Sequence, residues 1–196
     1  MKLSKNNKIL EEFQKSNFQK SYDLAINLNH KQLNESSLKI LAISSFNLQK
    51  YSESIKYGIK LYENYNITND LQLLNILGTS YSIIKDYAKG NYFFQKFLSI
   101  DKKNLSVLYN YGLNYFRQKD YIRSKEQFEK IIFIKKEFRE TELIYGIINL
   151  ELKDYEKAVK IFKSLIINNK NLSESYYNLG ILYQKINKFN AKYLHI

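Results

Sequence analysis

The residues of this chain that could carry chemistry are few and lie far apart in the sequence. Cysteine is absent and the only two histidines are His30 and His195, so neither a thiolate nor a histidine metal site has enough ligands. The adjacent carboxylates Glu11 and Glu12 would point in different directions on a helix. The sequence contains no phosphate-binding loop, dinucleotide-binding motif or HExxH motif. We therefore expect no catalytic residue, no cofactor and no metal ion, and we predict that the chain is not an enzyme.

The charge of the chain is strongly basic, with 31 Lys and Arg against 19 Asp and Glu and a formal net charge of +12. Only three of the basic residues are arginine, although arginine is the residue that recognises phosphates and bases with a planar fork. An A/T-rich genome would produce this composition without selection for a partner, because A/T-rich codons encode lysine, asparagine, isoleucine and tyrosine. We interpret the charge as a solvated lysine surface and expect no nucleic-acid partner. A lysine-rich surface that binds RNA or another anion remains the alternative.

The sequence gives no sign of a membrane segment or a secretion signal. Residues 1–10 carry positive charge, but Glu11, Glu12 and Lys15 follow before any apolar core. No uncharged apolar run approaches the roughly 20 residues that span a bilayer. We expect a cytoplasmic protein with no membrane association, and the 44% of hydrophobic residues is enough for a packed core.

The sequence repeats with a period of 34 residues. Gly78, Gly112, Gly146 and Gly180 are spaced by that interval, and each lies inside an apolar helical pattern. Glycine within a helix costs about 1 kcal/mol relative to alanine, so we expect the backbone of a neighbouring helix to approach closely there. An aromatic series and a small-residue series follow the same period: Phe18, Tyr51, Tyr87, Tyr121, Tyr155 and Phe189; then Ser21, Ser54, Gly90, Ser124 and Ala158.

Each period contains two amphipathic helices separated by a tight turn. In one period Leu105, Leu108 and Tyr115 have helical spacing, and a second helical pattern begins at Tyr121. Three aspartates directly precede aromatic residues of the series, and we predict that they cap the second helices. These aspartates are Asp86, Asp120 and Asp154.

This 34-residue pair of helices resembles the tetratricopeptide repeat. One instance of the motif reads Leu74, Leu77-Gly78, Tyr81, Asp86-Tyr87, Gly90 and Phe94, and another reads Leu108, Tyr111-Gly112, Tyr115, Asp120-Tyr121, Ser124 and Phe128. The resemblance covers essentially the whole chain and implies an all-α fold, a right-handed α-solenoid of stacked helix-turn-helix repeats. The proline that the family usually carries between repeats is missing throughout.

We divide the chain, expected to be a single solenoid over residues 1–196, into six repeats. Residues 2–34 match the pattern only in their second half and are interpreted as a repeat or an N-terminal cap. The last unit is truncated and carries Lys192 at the small position, so we favour a C-terminal cap for it. The predicted repeats span residues 2–34, 35–70, 71–104, 105–138, 139–172 and 173–196.

The resemblance implies that the first helix of each repeat lines a concave groove in which a protein or peptide binds. The alternative is that the same apolar side chains are buried between neighbouring repeats, because periodicity fixes their facing only to within a helical step. The predicted groove residues are Lys39, Ile43, Phe46, Asn75, Thr79, Tyr109, Leu113, Phe116, Leu143, Ile147, Leu150, Tyr177 and Ile181. Some members of the family clamp a C-terminal carboxylate; Lys39 and Asn110 fit that pattern, but Ile43 and Ser106 do not, so we set it aside.

The sequence therefore predicts a non-enzymatic protein–protein interaction scaffold or adaptor. A second hypothesis is the repeat section of a longer enzyme, such as a glycosyltransferase or sulfotransferase, because tetratricopeptide arrays commonly precede such domains and the sequence ends abruptly at Ile196. A third is the lysine-rich binder of RNA or an anionic surface. A homodimer through an uncovered C-terminal end is compatible with all three.

Overall fold

A computed structural model describes residues 5–28, 33–135, 138 and 141–193, so His30 and His195 lie outside the described residues. The described residues form eleven helices and no strand, as the resemblance to helix-turn-helix repeats predicts. The all-α solenoid class is confirmed. The helices are α1 (Lys5–Gln14), α2 (Phe18–Ile26), α3 (Glu35–Asn47), α4 (Tyr51–Asn64), α5 (Leu71–Ile83), α6 (Tyr87–Ile100), α7 (Leu105–Arg117), α8 (Tyr121–Ile134), α9 (Thr141–Glu151), α10 (Tyr155–Ile167) and α11 (Leu172–Tyr193).

The chain divides into two compact units, residues 1–102 and residues 103–196. In unit 1 each helix packs on the next, and the first helices of successive hairpins also touch, α1 with α3 and α3 with α5. In unit 2 successive helices from α7 to α11 pack in the same way, and α9 also touches α11. Contacts to the next helix and to the next but one are those of stacked helical hairpins. The exact repeat boundaries and the single solenoid over residues 1–196 remain predictions.

Every hairpin turn uses a residue in the left-handed region. In the turn between α7 and α8, Lys119 has a φ of 60°, its N–H donates to Phe116 O at 2.9 Å, and the N–H of Asp120 donates to Tyr115 O at 3.0 Å. This pair of bonds is the Schellman motif, which satisfies the last carbonyls of a helix and usually places glycine at the left-handed position. Here the position is occupied by Ser16, Gln49, Lys85, Lys119 and Lys153, with φ between 58° and 68°.

Acidic N-caps begin three of the second helices, α6, α8 and α10, as predicted, whereas Asn17 and Lys50 at the start of α2 and α4 make no side-chain cap bond. The Oδ1 atom of Asp120 accepts the N–H of Arg123 at 3.1 Å, which satisfies one of the free donors in the first turn of α8. Asp86 and Asp154 cap α6 and α10 in the same way. First helices are capped too: Asn104 Oδ1 accepts the N–H of Val107 at 3.2 Å, so asparagine begins α7 where the family usually has proline nearby.

We expect Asp120→Ala to lower the free energy of unfolding by about 1 kcal/mol, because the substitution removes the acceptor from the first turn of α8. Urea denaturation followed by far-UV circular dichroism measures this change. Asp120→Asn is the matched control, since it keeps the Oδ1 acceptor and should stay close to the parent chain. Equal stability of Asp120→Ala and the parent would contradict a capping role.

Three of the four periodic glycines accommodate a phenylalanine ring from the second helix of the same hairpin. A Cβ atom placed on Gly112 would lie 2.8 Å from Phe128 Cε2, closer than two carbon atoms can approach without a shift. The corresponding distances are 2.7 Å at Gly78, which faces Phe94, and 2.7 Å at Gly146, which faces Phe162. The expectation of a close backbone was therefore wrong. The space left by the absent Cβ atom is filled by a flat ring and not by a neighbouring backbone. All three rings are fully buried.

Two serines of the small-residue series form hydrogen bonds between the two helices of a hairpin. The hydroxyl of Ser124 donates to the backbone carbonyl of Gly112 at 2.9 Å, and Ser54 makes the same bond to Ala42 O at 2.9 Å. Both serines are fully buried. A larger side chain at this position would separate the helices, which explains the glycine or alanine in other repeats.

The last helix differs from the pattern that predicted it. The aromatic series reaches Phe189, where the other repeats begin a second helix, but α11 continues without interruption from Leu172 to Tyr193. No residue of α11 takes the left-handed conformation that Lys119 and Lys153 adopt at the hairpin turns. The described part of the chain therefore contains no second helix packed on α11.

Candidate partner-binding surface

All of the predicted groove residues lie on first helices, but the structure divides them by burial. Ile43 on α3, Tyr109 on α7, and Leu143 and Leu150 on α9 are buried. For these four the prediction of a ligand-facing surface was wrong, because their side chains fill the space between neighbouring helices. The alternative left open by the sequence, burial between repeats, applies to them.

Contacts show what holds two of these residues in unit 2. Leu143 and Leu150 belong to the apolar cluster that also contains Phe162, Leu165 and Leu182. Removing them would damage the core before it changed any surface. They are therefore poor positions for a binding test.

Aromatic pairs hold the hairpin corners. The ring of Phe116 at the end of α7 lies edge-to-face with Tyr121 at the start of α8, with centroids 5.6 Å apart, and Phe46 pairs with Tyr51 at 5.9 Å. Each pair bridges one turn, five residues apart in sequence. The sequence reasoning missed these pairs, although the spacing of five residues across a Lys-Asp or Gln-Lys turn could have indicated them. Both phenylalanines remain half-buried, so part of each ring is accessible.

In unit 1, Lys39 forms an ion pair and is not a free binding group. Its Nζ atom donates to Asp70 Oδ2 at 2.5 Å, and Asp70 also caps α5 by accepting the N–H of Leu73 at 3.0 Å. Burial opposes the ionised form of Asp70, but the bonds from Lys39 and from the backbone outweigh it and lower the pKa of Asp70. Lys39 therefore links α3 to the beginning of α5. Asn75 and Thr79 lie on α5 and are half-buried.

Five of the predicted residues keep accessible surface in unit 2. We name them the unit 2 stripe: Leu113 and Phe116 on α7, Ile147 on α9, and Tyr177 and Ile181 on α11. Ile147 and Ile181 pack against the same apolar cluster from neighbouring helices, and Tyr177 is exposed. None of the five is charged. The stripe therefore offers apolar and aromatic contact without a formal charge.

Elsewhere in unit 2 a polar network connects three helices. The hydroxyl of Tyr145 on α9 donates to Glu129 on α8 at 2.6 Å, and Lys157 Nζ on α10 donates to the same hydroxyl at 2.6 Å. Burial raises the pKa of Tyr145, and its bond to Glu129 raises it further. The phenol therefore stays protonated and serves as a structural tie. Sequence reasoning did not find this network because its members come from three different helices.

The described residues give no structural indication of a metal site or a membrane span. Within residues 5–28, 33–135, 138 and 141–193, no three His, Cys, Asp or Glu side chains come together as a metal site would require. Among the described helices, not one combines the length and apolar character needed to cross a bilayer.

Comparison with known proteins finds the same repeat in two places. Tetratricopeptide repeat family models match residues 105–137 and 140–171. A search of curated proteins finds no sequence match to the chain. The solved structures that the chain resembles have low sequence identity, so the likeness concerns the fold.

Two of those structures illustrate the likeness. A tetratricopeptide repeat protein from Parabacteroides merdae is 18% identical with a TM-score of 0.73, and the match covers 95% of this chain and 73% of that one. A MamA structure, MamA AMB-1, is 11% identical with a TM-score of 0.72, and the match covers 81% of this chain and 86% of that one.

Proposed function

Because the chain is a tetratricopeptide repeat protein, we propose that it is a non-enzymatic scaffold that binds a peptide or helical segment of a partner protein. Stacked hairpins of this kind present extended surfaces on which partners bind. The observation that carries the proposal is the unit 2 stripe, which is apolar, uncharged and partly accessible. The four predicted positions that are buried have no part in it.

The chemistry of the stripe specifies the kind of segment that it would bind. Ile147 and Ile181 lie on first helices that touch each other, and they are separated by one repeat in the sequence. A ligand that lies across these helices meets one apolar side chain per repeat, which suits an amphipathic helix or an extended segment with spaced apolar residues. Phe116 and Tyr177 add aromatic surface, which contributes strongly at interfaces.

Electrostatics would contribute little at this stripe. None of its five residues is charged, and two lysines of the nearby α10 already have partners: Lys160 Nζ lies 2.5 Å from Glu156, and Lys157 donates to Tyr145. Binding on the stripe should therefore persist at high salt, whereas binding through phosphate contacts would weaken steeply.

The test is the combined substitution Leu113→Lys and Ile147→Lys in the full chain. Peptides are first selected by the parent chain from a displayed peptide library, and their dissociation constants are then measured for parent and variant at low and high salt. We expect the two lysines to weaken binding by about tenfold or more, because each places an ammonium group against an apolar ligand.

The matched control carries Ile122→Lys and Phe133→Lys, which add the same two charges at exposed apolar positions on α8. This control should bind the selected peptides as the parent does. Equal binding by the stripe variant would refute the stripe. Binding that disappears at high salt and is unaffected by the stripe substitutions would assign the binding function to the lysine-rich surface.

A further inference from the structure

Helix α11 exposes a face that α5 and α7 bury. In α7 the side chains of Leu108 and Tyr115 flank Gly112 and are only 1% and 5% exposed, because α8 covers them. The equivalent residues of α11, two repeats later, are Tyr176, Gly180 and Tyr183. Tyr176 is 60% exposed and Tyr183 is 43% exposed. We name these three residues the α11 face.

The covered repeats show which side chains such a face accepts. On Gly112 lies the ring of Phe128, and Arg123 of the same helix places its guanidinium 5.6 Å from the centroid of Tyr115. Ser124, the next residue, donates its hydroxyl to the carbonyl of Gly112. The covering helix thus supplies a cation, a small residue directly after it, and a phenylalanine five residues after the cation.

The hairpin of α5 and α6 repeats this arrangement independently. Phe94 lies on Gly78, and Lys89 Nζ lies 5.2 Å from the centroid of Tyr81. The small residue after that lysine is Gly90. Two hairpins therefore place a cation, a small residue and a phenylalanine at the same three positions. In the hairpin of α9 and α10, Asn149 occupies the position of the second tyrosine, and Lys157 lies instead 4.9 Å from the centroid of Tyr145.

The described chain does not cover the α11 face by itself. A Cβ atom on Gly180 would meet no described atom within 4 Å, whereas the other three periodic glycines each face a ring. The α11 helix also runs straight through to Tyr193, past the point where every other hairpin turns back. The open space beside Gly180, which we call the notch, and the two flanking tyrosines are therefore accessible.

We propose that the α11 face binds an amphipathic helix of a partner protein, one that carries a basic residue, a small residue next to it and a phenylalanine five residues after the basic one. The phenylalanine would lie on Gly180, and the cation would lie over the ring of Tyr183, where an aromatic face attracts it. The α11 face itself carries no formal charge that would repel the cation. This inference goes beyond the proposed function, since the stripe residues Tyr177 and Ile181 lie about 60° and 100° around the helix from Gly180, on the side away from Tyr176 and Tyr183.

A second copy of the chain is a poor candidate for the occupant. In the described residues the helices with this sequence pattern are α6, α8 and α10, and each already buries its own phenylalanine on its own hairpin glycine. These are Phe94, Phe128 and Phe162. A second copy would have to unfold a hairpin before it could offer such a helix.

The probe for this site is a fluorescent peptide of residues 120–135 of this same chain, which contains the full pattern of Arg123, Ser124 and Phe128. A lactam between the exposed side chains of Glu126 and Lys130 holds it helical, since isolated helices of this length are marginal in water. Fluorescence anisotropy measures its binding to the full chain. We expect saturable binding that a Phe128→Ala peptide weakens by about tenfold or more.

Substitutions in the full chain locate the site. Gly180→Leu fills the notch without a clash, because no described atom lies within 4 Å of the added Cβ atom. It should weaken binding of the peptide by about tenfold. Phe133→Ala, at a 92% exposed position on α8, is the control and should leave binding unchanged. Loss of binding through Gly180→Leu alone would support the proposal. Equal affinity of the Gly180→Leu chain and the parent would overturn it.

Two further measurements test whether the α11 face acts independently of the stripe and whether its occupant is a partner protein. The stripe variant with Leu113→Lys and Ile147→Lys should bind the peptide with the affinity of the parent. The proposal for the stripe and the proposal for the α11 face can therefore fail independently of each other. Sedimentation velocity compares the oligomeric state of the parent chain with that of the Gly180→Leu chain. The parent should not form a dimer that the substitution abolishes. Such a dimer would assign the α11 face to a second copy and overturn the assignment to a partner protein.

Discussion

Replacing Phe128 with alanine is expected to lower the free energy of unfolding by about 3–5 kcal/mol. The ring is fully buried, lies on Gly112 and meets Tyr109 edge-to-face with centroids 5.6 Å apart. Alanine would leave a cavity that the rigid helices around it cannot close. Because a domain of this kind is stable by only about 5–15 kcal/mol, the loss should be visible as a large fall in the urea midpoint measured by circular dichroism.

Phe133→Ala is the matched control for this result. Phe133 lies on the same helix, α8, but is 92% exposed, so its removal should change stability by no more than about 0.5 kcal/mol. Similar losses at the two positions would mean that the contact between ring and glycine does not hold the hairpin together.

Alanine is expected to have opposite effects at two glycines of the same series. Gly112→Ala places a Cβ atom 2.8 Å and 3.1 Å from two carbon atoms of the Phe128 ring. Overpacking of this kind costs about 1–3 kcal/mol, which exceeds or cancels the gain of about 1 kcal/mol in helix propensity. Gly180→Ala meets nothing and should gain about 1 kcal/mol from propensity alone. Urea denaturation of both variants measures the difference.

A double substitution identifies the cause of the loss at Gly112. If the added Cβ atom clashes with the ring, the cost of Gly112→Ala should shrink when Phe128 is also replaced by leucine, because residues in contact are not additive. A cost that is unchanged in the Phe128→Leu background, or a stabilising effect of alanine at both glycines, would contradict the contact.

The sequence predicted the hairpins well because their packing is local. The contacts of three residues lie inside a single hairpin: Gly112 faces a ring, Asp120 caps a helix and Ser124 bonds to the partner helix. A contact of this kind favours the same type of residue in every repeat. A period in residue type is therefore visible without knowledge of any distant contact. Even so, the reason for the glycine was misjudged, since periodicity reveals that space is short but not which atoms occupy it.

The binding surface was harder to predict because it depends on neighbouring repeats. Leu113 on α7 and Leu150 on α9 both read as apolar residues of a first helix, yet Leu113 keeps accessible surface and Leu150 is buried in a cluster with Leu182 of another hairpin. Register alone does not decide between these outcomes, because Phe116 follows Gly112 by four residues as Leu150 follows Gly146, and Phe116 is only half-buried. The neighbouring repeat decides. The network of Tyr145, Glu129 and Lys157 escaped prediction for the same reason.

The one interval of the aromatic series that is longer than the period shows how such a chain tolerates change. Tyr51 and Tyr87 are 36 residues apart, and the two extra residues fall in the loop between α4 and α5, which has six residues where the loop between α6 and α7 has four. The hairpins on either side keep their internal contacts regardless: Ser54 still bonds to α3, and Phe94 still lies on Gly78. We therefore expect insertions between hairpins to have little effect on folding, whereas a single residue inserted within a hairpin would rotate its glycine away from its ring. The length of a loop is free to vary in such a chain, but the register inside a hairpin is not.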